Sequence, residues 1–341
     1  MIKVLVVDDS AVVRQVLSRE LSKASDIQVV AAAVDPYDAR EKIVRYKPDV
    51  LTLDIEMPRM DGLAFLRKLM QHYPVPAIIV SSLTPRGGQV AMEALDIGAV
   101  DVICKPGSSY TVGDITYNLA QMIRAASKVD PSSLKRVVSG TVKAPVHHSL
   151  TSTTSKIIAI GASTGGTRAL EQLLVTLPAN APGIVIVQHM PEHFTKSFAE
   201  RLNSISQIQV KEANSGDSVV NGTALIAPGN LHTIVKRSGA RYIVQNVNAP
   251  RVFHQRPSVE VMFNSAAKYV GKNAVGVLLT GMGADGARGL LEMKNAGAPT
   301  IAQDEATSVV WGMPGEAVKQ GAAQYVLPLQ QIAQKMLSLT T

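Results

Sequence analysis

Short apolar runs alternate with amphipathic segments along two stretches of the chain. In residues 1–128 the apolar runs predict five strands, at Lys3–Val7, Ile27–Val34, Val50–Leu53, Ala77–Ser81 and Val100–Cys104. Helical periodicity predicts helices among and after them, for example at Ala11–Lys23, Leu63–Gln71 and Ile115–Ser127. Repeated alternation of this kind is typical of a parallel sheet with helices on both faces.

A polar stretch, residues 129–155, separates this unit from a second one. It is rich in Ser, Thr and Pro, a composition typical of linkers. In residues 156–341 the apolar runs predict strands at Ile157–Ala162, Gly183–Gln188, Ala224–Pro228, Arg241–Val247, Ala274–Thr280 and Pro299–Gln303. Helices are predicted at Arg168–Leu177, Glu192–Asn203, Ser258–Tyr269 and Gly286–Ala296. We therefore expect two α/β domains, the second a doubly wound, Rossmann-like sheet.

Composition narrows the class of protein. A chain of 341 residues with 46% hydrophobic and 18% charged residues is expected to form globular domains. The start of the chain does not resemble a signal peptide, and no apolar run approaches the ~20 residues that span a bilayer, so we expect a cytoplasmic protein. The net charge of +7 raises nucleic acid as a partner, but aromatics are only 4% and Lys/Arg blocks are absent from the sequence, which disfavours it.

One apolar run ends in a serine flanked by glycines. In the segment IIAIGASTGG, Gly161 and Gly165 flank Ser163 in a G-x-S-x-G arrangement, and a helix is predicted from near Thr167. Such a turn presents a nucleophilic hydroxyl and directs helix amides toward developing negative charge. The same pattern fits an N-capping serine between a strand and a helix equally well. Partners at neighbouring strand ends decide between the two interpretations.

A serine nucleophile needs a general base and a carboxylate that orients the base. His189 ends the apolar run GIVIVQ, and Asp285 lies in the glycine-rich loop after the run AVGVLLT. Both are therefore predicted at the same sheet edge as Ser163. Met282 in that loop is a candidate backbone donor to an oxyanion. The alternative acid is Asp304, after the last predicted strand.

Other residues and motifs offer competing chemistry. His189 and His193 have the spacing of a metal pair, but Pro191 between them argues against one continuous helix. Asp217 is typical of a turn aspartate, and local hydrogen bonding in loops is predicted for His232 and His254. The loop GASTGGT lacks the Lys of a phosphate-binding loop and the second Gly of G-x-G-x-x-G, so a nucleotide site is disfavoured.

Charged residues gather at strand ends in the first unit as well. Asp8 and Asp9 follow its first predicted strand, Asp54 the third and Lys105 the fifth. These ends converge in an open parallel sheet, and clustered carboxylates are costly unless a cation neutralises them. Oxygen ligands in this number suit Mg²⁺, beside which a carboxylate accepts a phosphoryl group and a lysine holds its oxygens. The alternative is a set of unrelated solvated aspartates.

About residues 1–125 resemble the receiver domain of two-component response regulators. The resemblance lies in the segments VLVVDDS and LDIEMPRMDGL, in a strand ending at Ser81-Ser82, and in Lys105-Pro106. The resemblance implies a flavodoxin-like fold of five parallel strands that is phosphorylated on Asp54 with Mg²⁺ as cofactor. The implied roles are Mg²⁺ ligation by Asp9, Asp54 and the Glu56 carbonyl, a water-mediated role for Asp8, the switch hydroxyl of Ser81, and Lys105 as partner of the phosphoryl group. Val102 stands where many receivers carry a switch Tyr or Phe.

With this receiver in front, nearly the whole chain resembles chemotaxis protein-glutamate methylesterases. The resemblance of the second unit lies in the segments IGASTGG, VQHMP, APGNLH, RPSVEVMF and LLTGMGADG. The resemblance implies a serine esterase, without a cofactor for ester hydrolysis, that removes methyl esters from glutamates on chemoreceptor helices and deamidates glutamines there. The family's triad matches Ser163, His189 and Asp285. Thr164 and Met282 match positions near its oxyanion site.

The resemblance also implies partners and regulation. The partners are methyl-accepting chemoreceptors, through which alone the protein meets the membrane, and a chemotaxis histidine kinase as phosphodonor; nucleic acid is not among them. A receiver tied to a complete triad predicts that the unphosphorylated receiver covers the catalytic crevice and that phosphorylation of Asp54 opens it. The alternatives are a regulator with a degenerate esterase fold that binds DNA or protein, and a hydrolase of a small ester.

Overall fold

The structure is a computed structural model. It describes residues 1–57, 60–105, 112–131 and 155–340. The chain divides into two units, residues 1–141 and 142–341. The predicted linker, 129–155, lies outside the described residues except at its ends, and so does Pro106. None of the described helices combines the length and apolarity needed to cross a bilayer.

The first unit is a five-stranded parallel sheet with helices between its strands. Its strands are β1 (Ile2–Val7), β2 (Ile27–Ala33), β3 (Val50–Asp54), β4 (Ala77–Ser81) and β5 (Asp101–Cys104), in the spatial order β2-β1-β3-β4-β5. Its described helices are α1 (Ala11–Leu21), α2 (Pro36–Tyr46), α3 (Gly62–His72), α4 (Pro85–Ile97) and α5 (Val112–Ala126). The residues of β3, β4 and β5 are all buried, as expected for a sheet covered on both faces. The flavodoxin-like prediction is confirmed.

The second unit is built on a seven-stranded parallel sheet. Its strands are β6 (Ile157–Ala162), β7 (Gly183–Gln188), β8 (Gln209–Glu212), β9 (Thr223–Ile226), β12 (Ala274–Leu278), β13 (Thr300–Gln303) and β14 (Tyr325–Leu327), in the order β14-β13-β12-β6-β7-β9-β8. Its described helices are α6 (Gly166–Leu174), α7 (Phe194–Ile205), α8 (Val259–Tyr269), α9 (Ala287–Asn295), α10 (Met313–Lys319) and α11 (Leu329–Thr340). The predicted parallel α/β class is confirmed.

Several features of the second unit differ from the pattern-based prediction, which did not include β10 (His232–Ser238), α10 or α11. The run Arg241–Val247 is a strand, β11, but it pairs antiparallel with β10 in a hairpin outside the main sheet. The edge strands β8 and β14 were not predicted, because they are only four and three residues long and partly exposed. Sequence periodicity over so few residues carries little signal.

In each unit, the order of the strands determines where a site can form. In the second sheet the chain passes from β6 to β7 on one side and later returns to β12 on the other side of β6. Such a switch point opens a crevice at the carboxyl ends of the central strands. In the first sheet β1 lies between β2 and β3, so the carboxyl ends of β1 and β3 are adjacent.

Close packing of α8 on β6 is expected to depend on Gly161. A Cβ at Gly161 would lie 2.2 Å from Cγ1 of Val259, so Gly161→Ala should lower the free energy of unfolding by about 1–3 kcal/mol through overpacking. Val259→Ala alone should also destabilise the protein, by about 2 kcal/mol, but it makes room for the added methyl group. The double variant should therefore lose less stability than the sum of the two, measured by urea unfolding; strict additivity would contradict this packing.

Candidate active site and receiver pocket

Ser163 lies on the turn between β6 and α6. Its N–H donates to the carbonyl of Thr280 (3.0 Å), which ties the turn to the segment after β12. Gly165 has φ 78°, and a Cβ there would lie 2.6 Å from Cβ of Val309, so the turn requires glycine. Gly165 is the N-cap of α6 and no side chain caps the helix. The interpretation of Ser163 as a capping residue is therefore wrong.

His189 connects Ser163 to Asp285. Its Nδ1 lies 3.1 Å from Oγ of Ser163, and its Nε2 lies 2.7 Å from Oδ2 of Asp285. With the proton on Nε2, the ring donates to the carboxylate and Nδ1 accepts from the serine hydroxyl. The side chains of His189 and Asp285 are 5% and 2% exposed. The structure thus brings together the three residues that are predicted at neighbouring strand ends.

The carboxylate of Asp285 sits at the N-terminus of α8. Its Oδ1 accepts from Oγ of Ser258 (2.8 Å) and from the amide of Glu260 (3.0 Å), and its Oδ2 accepts from the amide of Val259 (2.8 Å). The first-turn amides and the helix dipole both complement a negative charge at this point. The carboxylate is therefore fixed in direction, and it can hold one tautomer of His189.

Ser258 and His232 support this arrangement. No role is predicted for Ser258 from the sequence, and only local hydrogen bonding in a loop is predicted for His232. Ser258 is the N-cap of α8, so one side chain both caps the helix and contacts Asp285. Nδ1 of His232 accepts from the N–H of Ser258 (3.2 Å), and its Nε2 donates to the carbonyl of Pro250 (2.9 Å). Burial lowers the pKa of His232, which favours the neutral, accepting ring. His232 thus lies in strand β10, not in a loop.

Gln188 is a further supporting residue. It is the last residue of β7 and is 1% exposed. Its Nε2 donates to the carbonyls of Ser163 (3.0 Å) and His189 (3.3 Å). One amide group therefore joins the backbone of the serine turn to that of the histidine. A strand-end glutamine gives no sequence signal for such a role, since its partner is 25 residues away.

The predicted oxyanion donors lie close to the serine. A Cβ at Gly281 would lie 2.7 Å from Cβ of Ser163, so the loop that carries Met282 passes directly beside the serine. The carbonyl of Ser163, which is in the same peptide group as the Thr164 amide, accepts from Nε2 of Gln188 (3.0 Å), and this bond fixes the orientation of that amide. Within the described part of the chain, the amides of Thr164 and Met282 donate no hydrogen bond. Both are therefore available to a substrate oxygen.

The competing residues are engaged elsewhere. Oδ1 of Asp304 accepts from the amide (3.0 Å) and hydroxyl (2.6 Å) of Thr307, so this carboxylate serves a local turn. Asp217 binds Nζ of Lys211 (2.7 Å), and it also has a local role. His193 precedes α7 and belongs to no group of three metal ligands among the described residues. Both ring nitrogens of His189 contact other residues, Nδ1 the hydroxyl of Ser163 and Nε2 the carboxylate of Asp285.

Three carboxylates converge in the first unit. Ligand oxygens of Asp8, Asp9 and Asp54 lie within 4.8 Å of one another. Nζ of Lys105 lies 2.7 Å from Oδ2 of Asp54 and 3.3 Å from Oδ2 of Asp8. Burial raises the pKa of Asp54 to about 6, against the opposing effect of Lys105, and burial also raises the pKa of Asp8. Buried carboxylates that one ammonium does not fully compensate fit a divalent cation such as Mg²⁺.

The remaining predicted residues surround this pocket. The amide of Glu56 donates to Oδ1 of Asp54 (3.0 Å), whereas ligation through the Glu56 carbonyl stays a prediction. Ser81 ends β4, and its buried Oγ has no hydrogen-bond partner within the described ranges. A buried hydroxyl without a partner can donate a hydrogen bond to an oxygen of a phosphoryl group. Val102 is buried in β5, three residues before Lys105.

The two units define a class of protein. A Ser-His-Asp constellation at the switch point of a parallel α/β sheet is the arrangement of a serine hydrolase. An acidic pocket with a strand-end lysine in a flavodoxin-like sheet is that of a phosphoryl-accepting receiver. The chain therefore combines a hydrolase with a receiver domain.

Comparison with known proteins gives the family. The CheB methylesterase model matches residues 158–336, and the response regulator receiver domain model matches residues 4–113. A protein-glutamate methylesterase/protein-glutamine glutaminase from Syntrophus aciditrophicus is 61% identical over 99% of both chains. A protein with the same description from Pseudomonas savastanoi is 51% identical over 98% of both. The catalytic domain of Thermotoga maritima CheB methylesterase is 41% identical, with a TM-score of 0.53, and the match covers 55% of this chain and 99% of that one. The chain belongs to the CheB methylesterase family.

Ser258 both caps α8 and donates to Asp285, and a matched pair of variants should separate these two roles. Ser258→Ala loses a helix cap, which costs about 1 kcal/mol of stability, and it also releases Oδ1 of Asp285. We expect kcat/KM for ester hydrolysis to fall on the order of ten- to a hundredfold. Asp35→Ala removes the cap of α2 in the other unit and is the matched control, with a similar loss of stability and little loss of activity. Equal activity of the two variants would contradict the role of Ser258.

Proposed function

We propose that the protein hydrolyses γ-methyl esters of glutamate side chains on cytoplasmic helices of methyl-accepting chemoreceptors, and deamidates glutamines at such sites. The observation that carries the proposal is the bridge of His189 between Ser163 (3.1 Å) and Asp285 (2.7 Å). The similarity to protein-glutamate methylesterases/protein-glutamine glutaminases supports the substrate class. The protein would act in the cytoplasm and meet the membrane only through receptors.

The geometry supports a two-step acyl transfer. Nδ1 of His189 takes the proton of Ser163 as Oγ attacks the ester carbonyl, and Asp285 stabilises the imidazolium. The amides of Thr164 and Met282 stabilise the oxyanion. As the intermediate collapses, His189 protonates the departing methoxide, and methanol leaves. His189 then deprotonates a water molecule that attacks the acyl-enzyme. As the bond between the acyl carbon and Oγ breaks, His189 returns the proton to Oγ of Ser163, and the glutamate is released; an amide substrate releases ammonia in the first step by the same route.

The receiver would regulate this activity. Asp54 would accept the phosphoryl group from a chemotaxis histidine kinase, with Ser81 and Lys105 binding its oxygens. Asp9, Asp54 and the Glu56 carbonyl would hold Mg²⁺, and Asp8 would act through water. When bound, the cation neutralises charge that develops on the transferring phosphoryl group. Phosphorylation would release the catalytic unit from inhibition by its receiver.

Substitution within the triad tests the catalytic proposal. Ser163→Ala and Asp285→Asn should lower the rate of methanol release from methylated receptor membranes by several orders of magnitude, because the first removes the nucleophile and the second the orienting charge. Asp304→Asn is the matched control for the acid and should retain activity, since Asp304 contacts Thr307 and not His189. Near-normal turnover by Ser163→Ala would contradict the mechanism.

Substitution of the phosphoryl acceptor tests the regulation. Acetyl phosphate with Mg²⁺ should stimulate methanol release by the full-length protein, but it should not stimulate Asp54→Asn, which lacks the accepting carboxylate. A fragment of residues 155–341 should exceed the unphosphorylated full-length protein in activity. If fragment and full-length protein had equal rates, inhibition by the receiver would be wrong.

A further inference from the structure

The N-termini of α8 and α9 are joined by two carboxylates that act in opposite directions. Asp285, two residues before α9, accepts from the amide of Glu260 in the first turn of α8 (3.0 Å). Glu260 in turn reaches across to α9, where its Oε2 accepts from the amide of Gly289 (2.9 Å). Each acid therefore satisfies an amide in the first turn of the other helix. The catalytic acid is one half of this exchange, and Glu260 is the other half.

The first turn of α9 has no cap from its own N-cap residue. That residue is Gly286, which has φ 86° and no side chain to accept from the helix amides. The first amides of a helix lack partners within it, and a buried amide without an acceptor costs about 1–3 kcal/mol. Gly289 is buried, and the carboxylate of Glu260 accepts its amide. The cap that most helices take from the residue before them thus comes to α9 from a neighbouring helix.

Glu260 is buried, unlike most acids in the first turn of a helix. Such a glutamate ordinarily lies in solvent, where it complements the dipole of its own helix. Glu260 is only 7% exposed, and its carboxylate contacts the side chain of Asn264 as well as the amide of Gly289. Burial raises the pKa of Glu260; the Gly289 bond lowers it, the charge of Asp285 raises it, and that of Arg288 lowers it. A carboxyl group held in the interior beside a second carboxylate indicates a role that a solvated glutamate does not have.

The two helices are in direct contact at the point where Glu260 reaches α9. A Cβ at Gly289 would lie 2.7 Å from Cβ of Phe263 and 3.1 Å from the carbonyl oxygen of Glu260, so a larger residue there would push the helices apart. Glycine inside a helix costs about 1 kcal/mol relative to alanine. Its presence brings the amide of residue 289 within reach of Glu260. Asp285 lies only four residues earlier, so a shift of the first turn of α9 would move the acid as well.

We propose that Glu260 is a positioning residue for the catalytic acid: by capping α9 it fixes residues 285–289 against α8 and so holds Asp285 within hydrogen-bond distance of His189. That bond, from Nε2 of His189 to Oδ2 of Asp285, is 2.7 Å long, and a small displacement of the acid would weaken it. Glu260 acts through Asp285 and not on the substrate. Because an amide oxygen can accept from Gly289 as a carboxylate does, the role needs the hydrogen bond and not the charge. The role rests on the proposed function and adds what keeps the acid in place.

The test compares variants of the full-length protein, with acetyl phosphate and Mg²⁺, in the hydrolysis of N-acetylglutamate γ-methyl ester. Glu260→Met keeps the length of the side chain but removes the acceptor, whereas Glu260→Gln keeps an acceptor oxygen. Asp217→Ala is the matched control, since Asp217 also accepts from a backbone amide of the second unit, that of Asn214 (2.7 Å), and its other contact is Lys211. Glu260→Ala takes the place of Glu260→Met, with the same expected result, should the larger side chain prevent folding.

The expected results separate positioning from stability. At a temperature well below each Tm, Glu260→Met should lower kcat about tenfold and leave KM within about twofold, because the acid supports the imidazolium and does not bind the ester. Glu260→Gln should restore kcat to within about threefold of the unchanged protein. Asp217→Ala should lose about as much Tm as Glu260→Met, a few degrees, without loss of kcat.

Proton NMR gives a readout that a purely structural role would not change. The proton on Nε2 of His189, held by Asp285, is expected far downfield of the other ring protons. This resonance should move upfield or broaden in Glu260→Met and persist in Glu260→Gln and in Asp217→Ala, all compared in the folded state.

Three results would overturn the inference. An unchanged resonance with normal kcat in Glu260→Met means that Glu260 does not position the acid. A lower Tm with kcat equal to that of Asp217→Ala means that Glu260 only stabilises α9. Failure of Glu260→Gln to restore kcat means that the charge and not the hydrogen bond is required. If the unchanged protein hydrolyses neither the small ester nor receptor esters, the proposed function fails, and the resonance still decides whether Glu260 holds Asp285 against His189.

Discussion

The catalytic unit depends on one buried carboxylate at a helix N-terminus. Asp285 is held by the first turn of α8, so the helix must approach the strand ends very closely. Glycine at two positions permits this approach: a Cβ at Gly161 or Gly286 would lie 2.2 or 2.4 Å from the same methyl group of Val259. Burial of the acid, placement of α8 and glycine at positions 161 and 286 are therefore parts of one packing solution.

The two units apply the same architectural rule to different chemistry. Both place reactive side chains at the carboxyl ends of adjacent parallel strands, where the backbone leaves a crevice. In the first unit, buried carboxylates remain only partly compensated by Lys105, which suits the capture of a cation and a phosphoryl group. In the second, Asp285 is fully surrounded by donors, which suits a fixed charge that orients a base. The difference lies in the number of donors around each carboxylate.

Much of the architecture was predictable, because long apolar runs and glycine-flanked turns carry strong local signals. Ser163 and His189 follow such runs directly. The choice between Asp285 and Asp304 was not settled by the residues alone, since both follow a strand; it depends on β12, and not β13, lying next to β6. Strand order is a property of the whole fold. The supporting roles of Ser258, His232 and Gln188 arise from partners 25 to 27 residues away, and no local pattern reports such contacts.

The order of the three central strands also accounts for the orientation of the imidazole. The serine strand lies between the histidine strand and the strand that leads to the acid, so an imidazole that enters from the histidine strand meets the serine before it meets the loop that carries the acid. Its nitrogen nearest the backbone, Nδ1, then meets the serine, and the distal Nε2 meets Asp285. Which nitrogen acts as the base is thus decided by sheet topology. Any rearrangement that exchanged the neighbours of the serine strand would have to turn the ring over to preserve the chemistry.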